Sequence, residues 1–342
     1  METDMTWLSN CWYQVGWTDD LPAGGSFAKT ILGASVLFYR GEDGQIAALL
    51  DRCPHRFVPL SAGTFKANVV TCPYHGLAFG SDGRCVNNPH GPITSTMRVR
   101  SFPVVERHTA IWFWPGDEAA ADPGQIPDLS FIDQTPETAR IRMDIPTACN
   151  YQLLIDNIMD LSHADYLHPT TLGGMMTDAK MRSREDGDDV VVEWTADNCV
   201  PAPGFASATS PDGKVDVWIR VRWRAPGVMI LSSSIVPAGT EHNVSTTTLH
   251  NMVPETEDST HYFMCTTRSF ELENEGVTAA IQANAEQAFL REDKPMLELQ
   301  RQGMAGEDFW DLKPVLLPID AAAVRVRRKL AALLAAEPSL SV

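Results

Sequence analysis

Two cysteine and histidine pairs in the first quarter of the chain constrain its fold more than any other feature. Cys53 and His55 form a C-x-H pair, and Cys72 and His75 form a C-x-x-H pair. Thiolate sulfur and imidazole nitrogen are common metal ligands, and four of them at matched spacing make a four-ligand metal site. The chain must therefore fold so that the loops carrying the two pairs lie side by side.

The surroundings of these pairs predict a small antiparallel β domain. Short apolar or alternating runs, such as residues 35–40 and 46–50, are separated by turn residues such as 41–44. Strand, glycine-rich turn and strand in that order predict a β-hairpin. Residues 111–114 read as a buried closing strand, so we expect this domain to span residues 1–117.

The chain length and a segment interrupted by Pro and Gly predict a second domain. A chain of 342 residues suits two domains, each large enough to bury its own core. Residues 118–127 are small, polar and interrupted by Pro and Gly, as a connection between domains is. We expect a connection over residues 118–140 and the second domain over residues 141–342.

The second domain is predicted to be α+β, with helices packed on an antiparallel sheet in a helix-grip arrangement. Apolar residues at helical spacing predict helices at residues 151–168, 277–302 and 320–335. Alternating or apolar runs predict strands at residues 190–194, 215–223, 228–235, 245–253 and 262–268.

The net charge argues against several classes of partner. The formal charge is -17 at pH 7 and the sequence pI is about 4.9, whereas nucleic acid and anionic membrane surfaces bind clusters of Lys and Arg. The seven cysteines have irregular spacing, unlike a disulfide framework. The N-terminus is acidic rather than basic, and no apolar run approaches the roughly 18 residues of a membrane span. We expect a cytoplasmic protein without a nucleic-acid or membrane partner.

The ligand types alone are compatible with two kinds of metal centre at the first site. A set of two Cys and two His binds either structural zinc or a two-iron cluster. A zinc finger draws its ligand pairs from a hairpin and a helix, whereas each pair here lies in a short proline-containing loop of a β domain. One Cys and one His per loop allow one iron of a [2Fe-2S] cluster to take both Cys and the other both His. This arrangement favours the cluster, and zinc stays open as an alternative.

A second group of polar residues interrupts an apolar helical stripe at residues 156–169. Asp160 and His163 share a helix face, but His168 lies about 140° from His163 on a straight helix. Because Pro169 pushes the preceding residue out of the α region, we expect the helix to break at His168, which lets the two imidazoles converge. Two histidines and one carboxylate form the facial triad that binds iron and leaves coordination positions open.

The carboxylate of such a triad must come from another part of the chain. Asp293 is the candidate, and Glu292 competes with it. Pro295 cannot donate a backbone hydrogen bond to Arg291, so we expect this helix to kink beside Asp293. From the residues alone, a solvated Asp293 and two structural histidines stay open as the alternative.

Both groups together resemble the terminal oxygenases of the Rieske non-haem iron oxygenase family, and the resemblance covers nearly the whole chain. The two loops match the Rieske signature, residues 157–168 match N-x-x-D-x-x-H-x-x-x-x-H, and Glu292-Asp293 matches a late E-D pair. With residues 254–257, these motifs are most similar to the dicamba and vanillate O-demethylase group.

The resemblance implies the metal ligands and the assembly. The ligands of a Rieske [2Fe-2S] cluster would be Cys53, His55, Cys72 and His75. The ligands of a mononuclear Fe(II) would be His163, His168 and Asp293. In the family, the cluster of one subunit serves the iron of its neighbour in a ring of three. Asp160 would connect that iron to His75 of the neighbouring subunit.

The resemblance also implies a reaction. Such oxygenases use O2 and electrons from a ferredoxin or a flavin-dependent reductase to hydroxylate a small aromatic substrate. Hydroxylation of a methyl group on oxygen or nitrogen gives a product that releases formaldehyde, which amounts to demethylation. Asn157 and His250 are the candidate substrate residues, and alternation puts Thr246 and Thr248 on the same face as His250. An ordinary core or surface histidine stays open for His250.

Three other functions stay open on the sequence. Ring hydroxylation uses the same iron chemistry. A pure electron-transfer Rieske protein would contain about two irons per chain, whereas the oxygenase would contain about three. A binding module stapled by zinc would be colourless as purified.

Overall fold

The computed structural model describes residues 7–205, 213–237 and 243–337. The chain divides into two compact units between Ile126 and Pro127, a point inside the predicted connection. The predicted domain limits themselves stay predictions. None of the described helices combines the length and the apolar composition that a membrane crossing requires.

The first unit is built from antiparallel strands, as the hairpin pattern predicts. Its described strands are β1 (Tyr13–Trp17), β2 (Ser26–Ile31), β3 (Ala34–Arg40), β4 (Ile46–Leu50), β5 (Thr64–Lys66), β6 (Val69–Thr71), β7 (Ala78–Gly80), β8 (Cys85–Asn87), β9 (Ser101–Phe102), β10 (Val104–Arg107) and β11 (Ala110–Phe113). They pair in the orders β1-β11-β10, β2-β3-β4-β9 and β5-β6-β7-β8.

Apolar side chains from two of these sheets form one core, and two of the predicted metal ligands belong to it. Leu37 and Leu49 of the second sheet and Phe79 of the third are fully buried. Cys53 and Cys72 lie in the same cluster and are 2% and 3% exposed. Close packing of the core therefore fixes where the two cysteine side chains lie.

The second unit contains a seven-stranded antiparallel sheet. Its strands are β12 (Arg140–Asp144), β13 (Lys180–Asp186), β14 (Asp189–Cys199), β15 (Val215–Arg224), β16 (Val228–Pro237), β17 (Val244–Thr256) and β18 (Ser259–Arg268). Their order is β12-β18-β17-β16-β15-β14-β13. The five strands predicted from the sequence are β14 to β18. The two edge strands were not predicted, and β13 is rich in charged residues, which hides the apolar alternation of a strand.

Helices pack on this sheet, which confirms the α+β class. The described α-helices are α1 (Ser130–Gln134), α2 (Tyr151–Met159), α3 (Ala164–Leu167), α4 (Glu275–Ala285), α5 (Lys294–Met304) and α6 (Ala321–Ala336). Helix α2 contacts β15 and β17, α4 contacts β12, and α6 contacts β13 and β14.

The prediction of one helix over residues 151–168 is wrong. Helix α2 ends at Met159, and Asp160 is extended, with φ -124° and ψ 99°. A 3-10 turn at Leu161–His163 and the short helix α3 follow. The side chain of Asp160 accepts a hydrogen bond from the Ser162 N–H at 2.9 Å, as an N-cap residue does. The chain therefore starts a new turn here instead of continuing α2.

The predicted helix over residues 277–302 is present but not regular. A π-helical segment, Glu286–Asp293, joins α4 to α5. Pro295 has no N–H for the carbonyl of Arg291, so the regular bond pattern cannot continue there. A π turn widens the helix and is frequent at functional sites. The predicted kink beside Asp293 is thus a widened turn, and it carries the buried Asp293.

A largely buried ion pair connects the last helix, α6, to α2. Arg327 donates to Asp156 through Nη2 at 2.6 Å and through Nε at 2.8 Å, and to Gln152 at 3.1 Å. Its guanidinium carbon lies 4.1 Å from the ring centre of Phe309. Burial raises the pKa of Asp156 above its ordinary value, although Arg327 lowers it.

Replacing Arg327 by alanine is expected to destabilise the fold by about 3–5 kcal/mol at about pH 8, because a largely buried carboxylate loses its partner. At about pH 5 the loss should be smaller. A raised pKa means that the folded protein binds the Asp156 proton more tightly than the unfolded chain, so protonation favours the folded state as the pH falls. Urea unfolding at both pH values measures the difference.

The matched control is Arg328→Ala, since Arg328 is the exposed neighbour on the same helix. Its replacement should change the free energy of unfolding by less than about 0.5 kcal/mol at either pH. Equal losses for the two variants, or a loss for Arg327→Ala that does not depend on pH, would contradict the assigned role.

The loop after α3 is held by a single carboxylate. Asp165 accepts hydrogen bonds from the backbone N–H groups of Gly174, Met175, Met176 and Thr177, at distances of 2.5–3.1 Å. The Thr177 hydroxyl donates to it at 2.6 Å. This one side chain therefore fixes the backbone of residues 174–177.

Asp165→Asn is expected to loosen the loop, because hydrogen bonds to an ionised acceptor are worth about 1.5–3 kcal/mol each. Amide hydrogens of residues 174–177 should exchange at least about tenfold faster in hydrogen exchange followed by mass spectrometry. Asp178→Asn, at an exposed position just after the loop, is the control and should leave that exchange unchanged. Unchanged exchange in Asp165→Asn would show that the loop is held by other contacts.

Candidate metal centres and cavities

The two cysteine loops of the first unit have matching backbone geometry. In each loop the cysteine N–H donates to the carbonyl five residues later, at 2.9 Å for Cys53 and 2.8 Å for Cys72. The N–H of the fourth residue after each cysteine donates back to the cysteine carbonyl, at 3.0 and 3.1 Å. That fourth residue has a positive φ in both loops, 62° at Phe57 and 72° at Gly76. The two loops therefore share one backbone turn, in which the histidine is the second residue after Cys53 and the third residue after Cys72.

The predicted ligands of these loops divide into a buried and a more exposed pair. The rings of His55 and His75 are 4.5 Å apart, centre to centre. The Cys72 thiol lies beside that of Cys53, whose pKa is raised by burial. Desolvation lowers the pKa of His75, as do His55, His90 and Arg56. Two adjacent thiols and two adjacent imidazoles fit a [2Fe-2S] cluster, in which each iron takes a like pair.

A second group of ligand atoms converges in the other unit. One ligand atom each from His163, His168 and Asp293 lie within 4.8 Å of one another. Asp293 Oδ1 is 3.5 Å from His163 Nε2 and 3.2 Å from His168 Nε2. The three side chains come from the 3-10 turn, from the residue after α3 and from the last position of the π segment. The structure thus brings the three predicted iron ligands together.

Each imidazole is oriented by a bond to its other nitrogen. His163 Nδ1 lies 2.5 Å from the backbone carbonyl of Asp160, and His168 Nδ1 lies 2.7 Å from Glu292 Oε2. Gln287 and Thr171 donate to Glu292 at 3.0 and 3.3 Å. Both Nε2 atoms are thereby turned toward Asp293, and metal-bound histidines are commonly oriented by such a bond to the other ring nitrogen.

The charges around His168 favour a cation. Burial on its own would lower the pKa of His168, but Asp293 and Glu292 outweigh burial and raise it. Asp293 is 4% exposed, and its Oδ2 has no hydrogen-bond partner among the described residues. A buried carboxylate oxygen without a partner is costly unless a metal or proton occupies it. Two histidines and this carboxylate fit Fe(II) with open positions.

The structure places Asn157 and Asp160 beside the triad in different ways. Asn157 Nδ2 donates to Asp293 Oδ1 at 3.1 Å and lies 3.4 Å from His163 Nε2. The Asp160 carboxylate accepts from Ser162, so it is the Asp160 backbone carbonyl that contacts His163. Asn157, Asp160 and His163 line a cavity of about 320 Å³, which we call the side cavity.

A second space, the central cavity, has a volume of about 160 Å³ and is lined by all three triad residues. Its apolar lining includes Met175, Ile219, Leu231 and Phe289. Its uncharged polar lining consists of Ser233, Thr246, Thr248, His250, Thr266 and Asn284. His163 is therefore shared by both cavities, whereas Asn157 lines the side cavity and His250 the central one.

His250 is buried against aromatic rings in the central cavity. Its Nδ1 lies 2.5 Å from the Tyr262 hydroxyl, and its ring centre is 5.5 Å from that of Phe289. Burial lowers the pKa of His250 to about 3, so the imidazole is neutral. Burial also raises the pKa of Tyr262 far above its ordinary value.

Sequence reasoning missed several residues that shape the two cavities. Ser233 of β16 and Thr266 of β18 lie on the same face of the sheet as Thr246 and Thr248. Applying the alternation of β17 to these two neighbouring strands would have predicted both residues. Asp165 carries no such signal, because its partners are backbone groups of a loop. Glu292 was predicted as a competing ligand, but the structure places it against the far nitrogen of His168.

Comparison with known proteins places both units in described families. Residues 147–336 match the vanillate O-demethylase oxygenase C-terminal domain, and residues 11–103 match the Rieske [2Fe-2S] domain. The chain is 38% identical to the oxygenase component of chloroacetanilide N-alkylformylase from Rhizorhabdus wittichii, over 96% of each chain. It is 37% identical to the oxygenase component of dicamba O-demethylase from Stenotrophomonas maltophilia, over 95% of this chain and 97% of that protein.

Solved structures agree with the sequence relatives. A crystal structure of dicamba monooxygenase with non-heme iron and dicamba superposes with a TM-score of 0.81 and 34% identity, over 96% of this chain and 98% of that chain. The match extends over both units. The chain therefore belongs to the Rieske oxygenase family of oxidoreductases, in which a Rieske [2Fe-2S] domain precedes an oxygenase domain of the vanillate O-demethylase type.

Proposed function

We propose that the protein is the terminal oxygenase of a multicomponent monooxygenase that removes a methyl group from oxygen or nitrogen on a small aromatic substrate. The observation that carries this proposal is the triad of His163, His168 and Asp293, which lines a largely apolar cavity. A cavity of about 150 Å³ is large enough for benzene. The central cavity, at about 160 Å³, is therefore of a size that suits a single aromatic ring.

The two sets of ligands would hold two different metal centres. The [2Fe-2S] ligands would be Cys53, His55, Cys72 and His75, and the ligands of the mononuclear iron would be His163, His168 and Asp293. Together these centres would supply O2 activation and single electrons. Asp160 and Glu292 would hold the two imidazoles in place, and the apolar lining would keep water from the reacting carbon.

The proposed reaction balances without a further oxidant. A methoxyarene, O2, two electrons and two protons give a hemiacetal and water, as one oxygen atom enters the C–H bond of the methyl group. The hemiacetal then breaks its carbon–oxygen bond to the ring oxygen, which releases formaldehyde and leaves a phenol. An N-methyl substrate follows the same course through a carbinolamine.

Electrons are proposed to come from a separate ferredoxin or flavin-dependent reductase, since the sequence has no G-x-G-x-x-G dinucleotide fingerprint. We also propose a homotrimer, in which Asp160 connects His163 to the His75 of a neighbouring subunit. The rim of the side cavity beside Asp160 supports this, because Val315 and Leu316 are 88% and 46% exposed there. Leu317 beside them is 55% exposed, and contiguous exposed apolar side chains are typical of contact surfaces.

His163→Ala is expected to remove the mononuclear iron and the release of formaldehyde while leaving the visible spectrum of the cluster intact. Iron analysis should fall from about three to about two irons per chain, because one ligand of the triad is lost. His261→Ala, at a half-buried histidine of β18 outside both cavities, is the control. Formaldehyde release that survives His163→Ala would overturn the proposed function.

Glu292→Ala is expected to weaken the mononuclear iron site by about 10–100-fold, because His168 loses the partner that orients it. Fe(II) titration against a competing chelator measures the affinity, and the cluster spectrum should not change. Glu292→Gln keeps an acceptor for His168 and should retain part of the affinity.

The control is Glu286→Gln, at the first position of the same π segment. It should leave iron affinity unchanged. An unchanged affinity in Glu292→Ala would show that Glu292 does not position His168.

A further inference from the structure

A loop that follows β8 packs against the second cysteine loop. We call it the 88–92 loop, after its residues. His90 Nε2 lies 2.9 Å from the backbone carbonyl of His75. Pro89 lies beside the next residue of the cysteine loop, since a Cβ atom on Gly76 would be 3.2 Å from Pro89 Cγ. The 88–92 loop thus contacts both residues that the peptide bond after His75 joins.

The contact between His90 and His75 has a defined direction. A backbone carbonyl can only accept a hydrogen bond, so the His90 ring donates, and its Nε2 carries a proton. The two rings are 6.1 Å apart, centre to centre, at an angle of 76°. The positive end of this N–H bond therefore points toward the backbone of His75, one of the four proposed cluster ligands.

The Asn88 side chain holds the 88–92 loop in shape. Its Oδ1 accepts from the His90 backbone N–H at 3.0 Å, and its Nδ2 donates to the Pro92 carbonyl at 3.0 Å. Asparagine is typical of such turns because its side chain bonds the backbone two residues further on. The same Nδ2 lies 3.7 Å from Sδ of Met97, which packs against the core that contains the two ligand cysteines. Asn88 therefore connects the 88–92 loop to that core.

The core fixes the two ligands of the second cysteine loop unequally. Cys72 is 3% exposed and belongs to the core, whereas His75 is half-buried. Pro73 and Tyr74 between them are exposed, and the ring centre of Tyr74 lies 4.0 Å from that of His75. Close packing therefore holds the cysteine but not the histidine. The 88–92 loop supplies the contact that the core does not give to His75.

The first cysteine loop lacks a contact of this kind. In the backbone turn that the two loops share, Arg56 occupies the position of His75, just before the residue with positive φ. Among the described residues, none donates to the Arg56 carbonyl as His90 donates to that of His75. His55 is also more exposed than His75. The 88–92 loop is therefore specific to one histidine ligand, the one proposed to face a neighbouring subunit.

We propose that His90 is a positioning residue of the cluster, which holds His75 through its carbonyl and thereby helps to set the reduction potential of the cluster. Hydrogen bonds around the ligands are among the factors that set this potential. A reduced cluster carries one more negative charge than an oxidised one, so a donor whose positive end points toward a ligand favours reduction. The proposal rests on His75 as a cluster ligand and does not depend on the substrate.

Replacing His90 by leucine removes the donor and is expected to lower the reduction potential of the cluster. The equilibrium constant for reduction should fall about threefold, as for the loss of one ordinary hydrogen bond, which corresponds to about 30 mV for one electron. A reductive titration with redox dyes, followed by the visible spectrum of the full chain without substrate or reductase, measures this change. His90→Gln keeps an N–H donor and should restore part of the loss.

Two neighbouring asparagines separate the role of the 88–92 loop from that of a surface change. Asn88→Ala removes the bonds that hold the loop but keeps His90, and it should lower the potential as His90→Leu does, by a smaller amount. Asn87→Ala is the matched control, because Asn87 is the exposed last residue of β8. It should leave the potential unchanged.

An unchanged potential in His90→Leu, or a potential in His90→Gln as low as in His90→Leu, would overturn the assigned role. If His90→Leu retains no cluster, Asn88→Ala decides, and an unchanged potential in that variant would overturn the proposal. A Rieske spectrum that survives His75→Ala would contradict the ligand assignment and the proposal with it. None of these measurements involves formaldehyde release, so the proposed demethylation stands or falls separately.

Discussion

The buried carboxylate of Asp293 is the constraint on which the rest of the catalytic unit depends. It faces His163, His168 and Asn157 through one oxygen and leaves the other without a hydrogen-bond partner among the described residues. Such a group favours folding only if a cation or proton compensates it. The π segment is what brings Asp293 to this point, since the loss of an N–H at Pro295 removes the regular helical alternative.

Much of the site was predictable because the residue types that hold metals are few. The cysteine loops and the paired histidines have characteristic spacings, and the five strands β14 to β18 have alternating or apolar runs. The break at Asp160 was not predictable in this way, because apolar residues at helical spacing continue past it at Leu161 and Ala164. Helix α2 ends where the Ser162 N–H donates a hydrogen bond to the Asp160 side chain. Such a local bond competes with the helical backbone bonds, and apolar periodicity does not reveal it.

Long-range pairing explains the other differences. The substrate role predicted for Asn157 stays a prediction, but the contact of its amide with Asp293, which is 136 residues away in the chain, could not be predicted from the sequence. Glu292 and Asp293 are adjacent in sequence, and the sequence could not tell which of them faces the metal. The widened turn separates them, so that Asp293 lies between the two Nε2 atoms while Glu292 holds the opposite nitrogen of His168.

His163 is the point where two different surroundings meet. On the side cavity it lies with Asp160 and Asn157, among groups that can hold charge and hydrogen bonds. On the central cavity it lies with uncharged hydroxyls, aliphatic side chains and a neutral His250. In the proposed function, electrons would reach His163 from the side cavity, whereas attack on a C–H bond would take place in the central cavity, whose apolar lining excludes water. One ligand between two cavities would then keep the two steps apart.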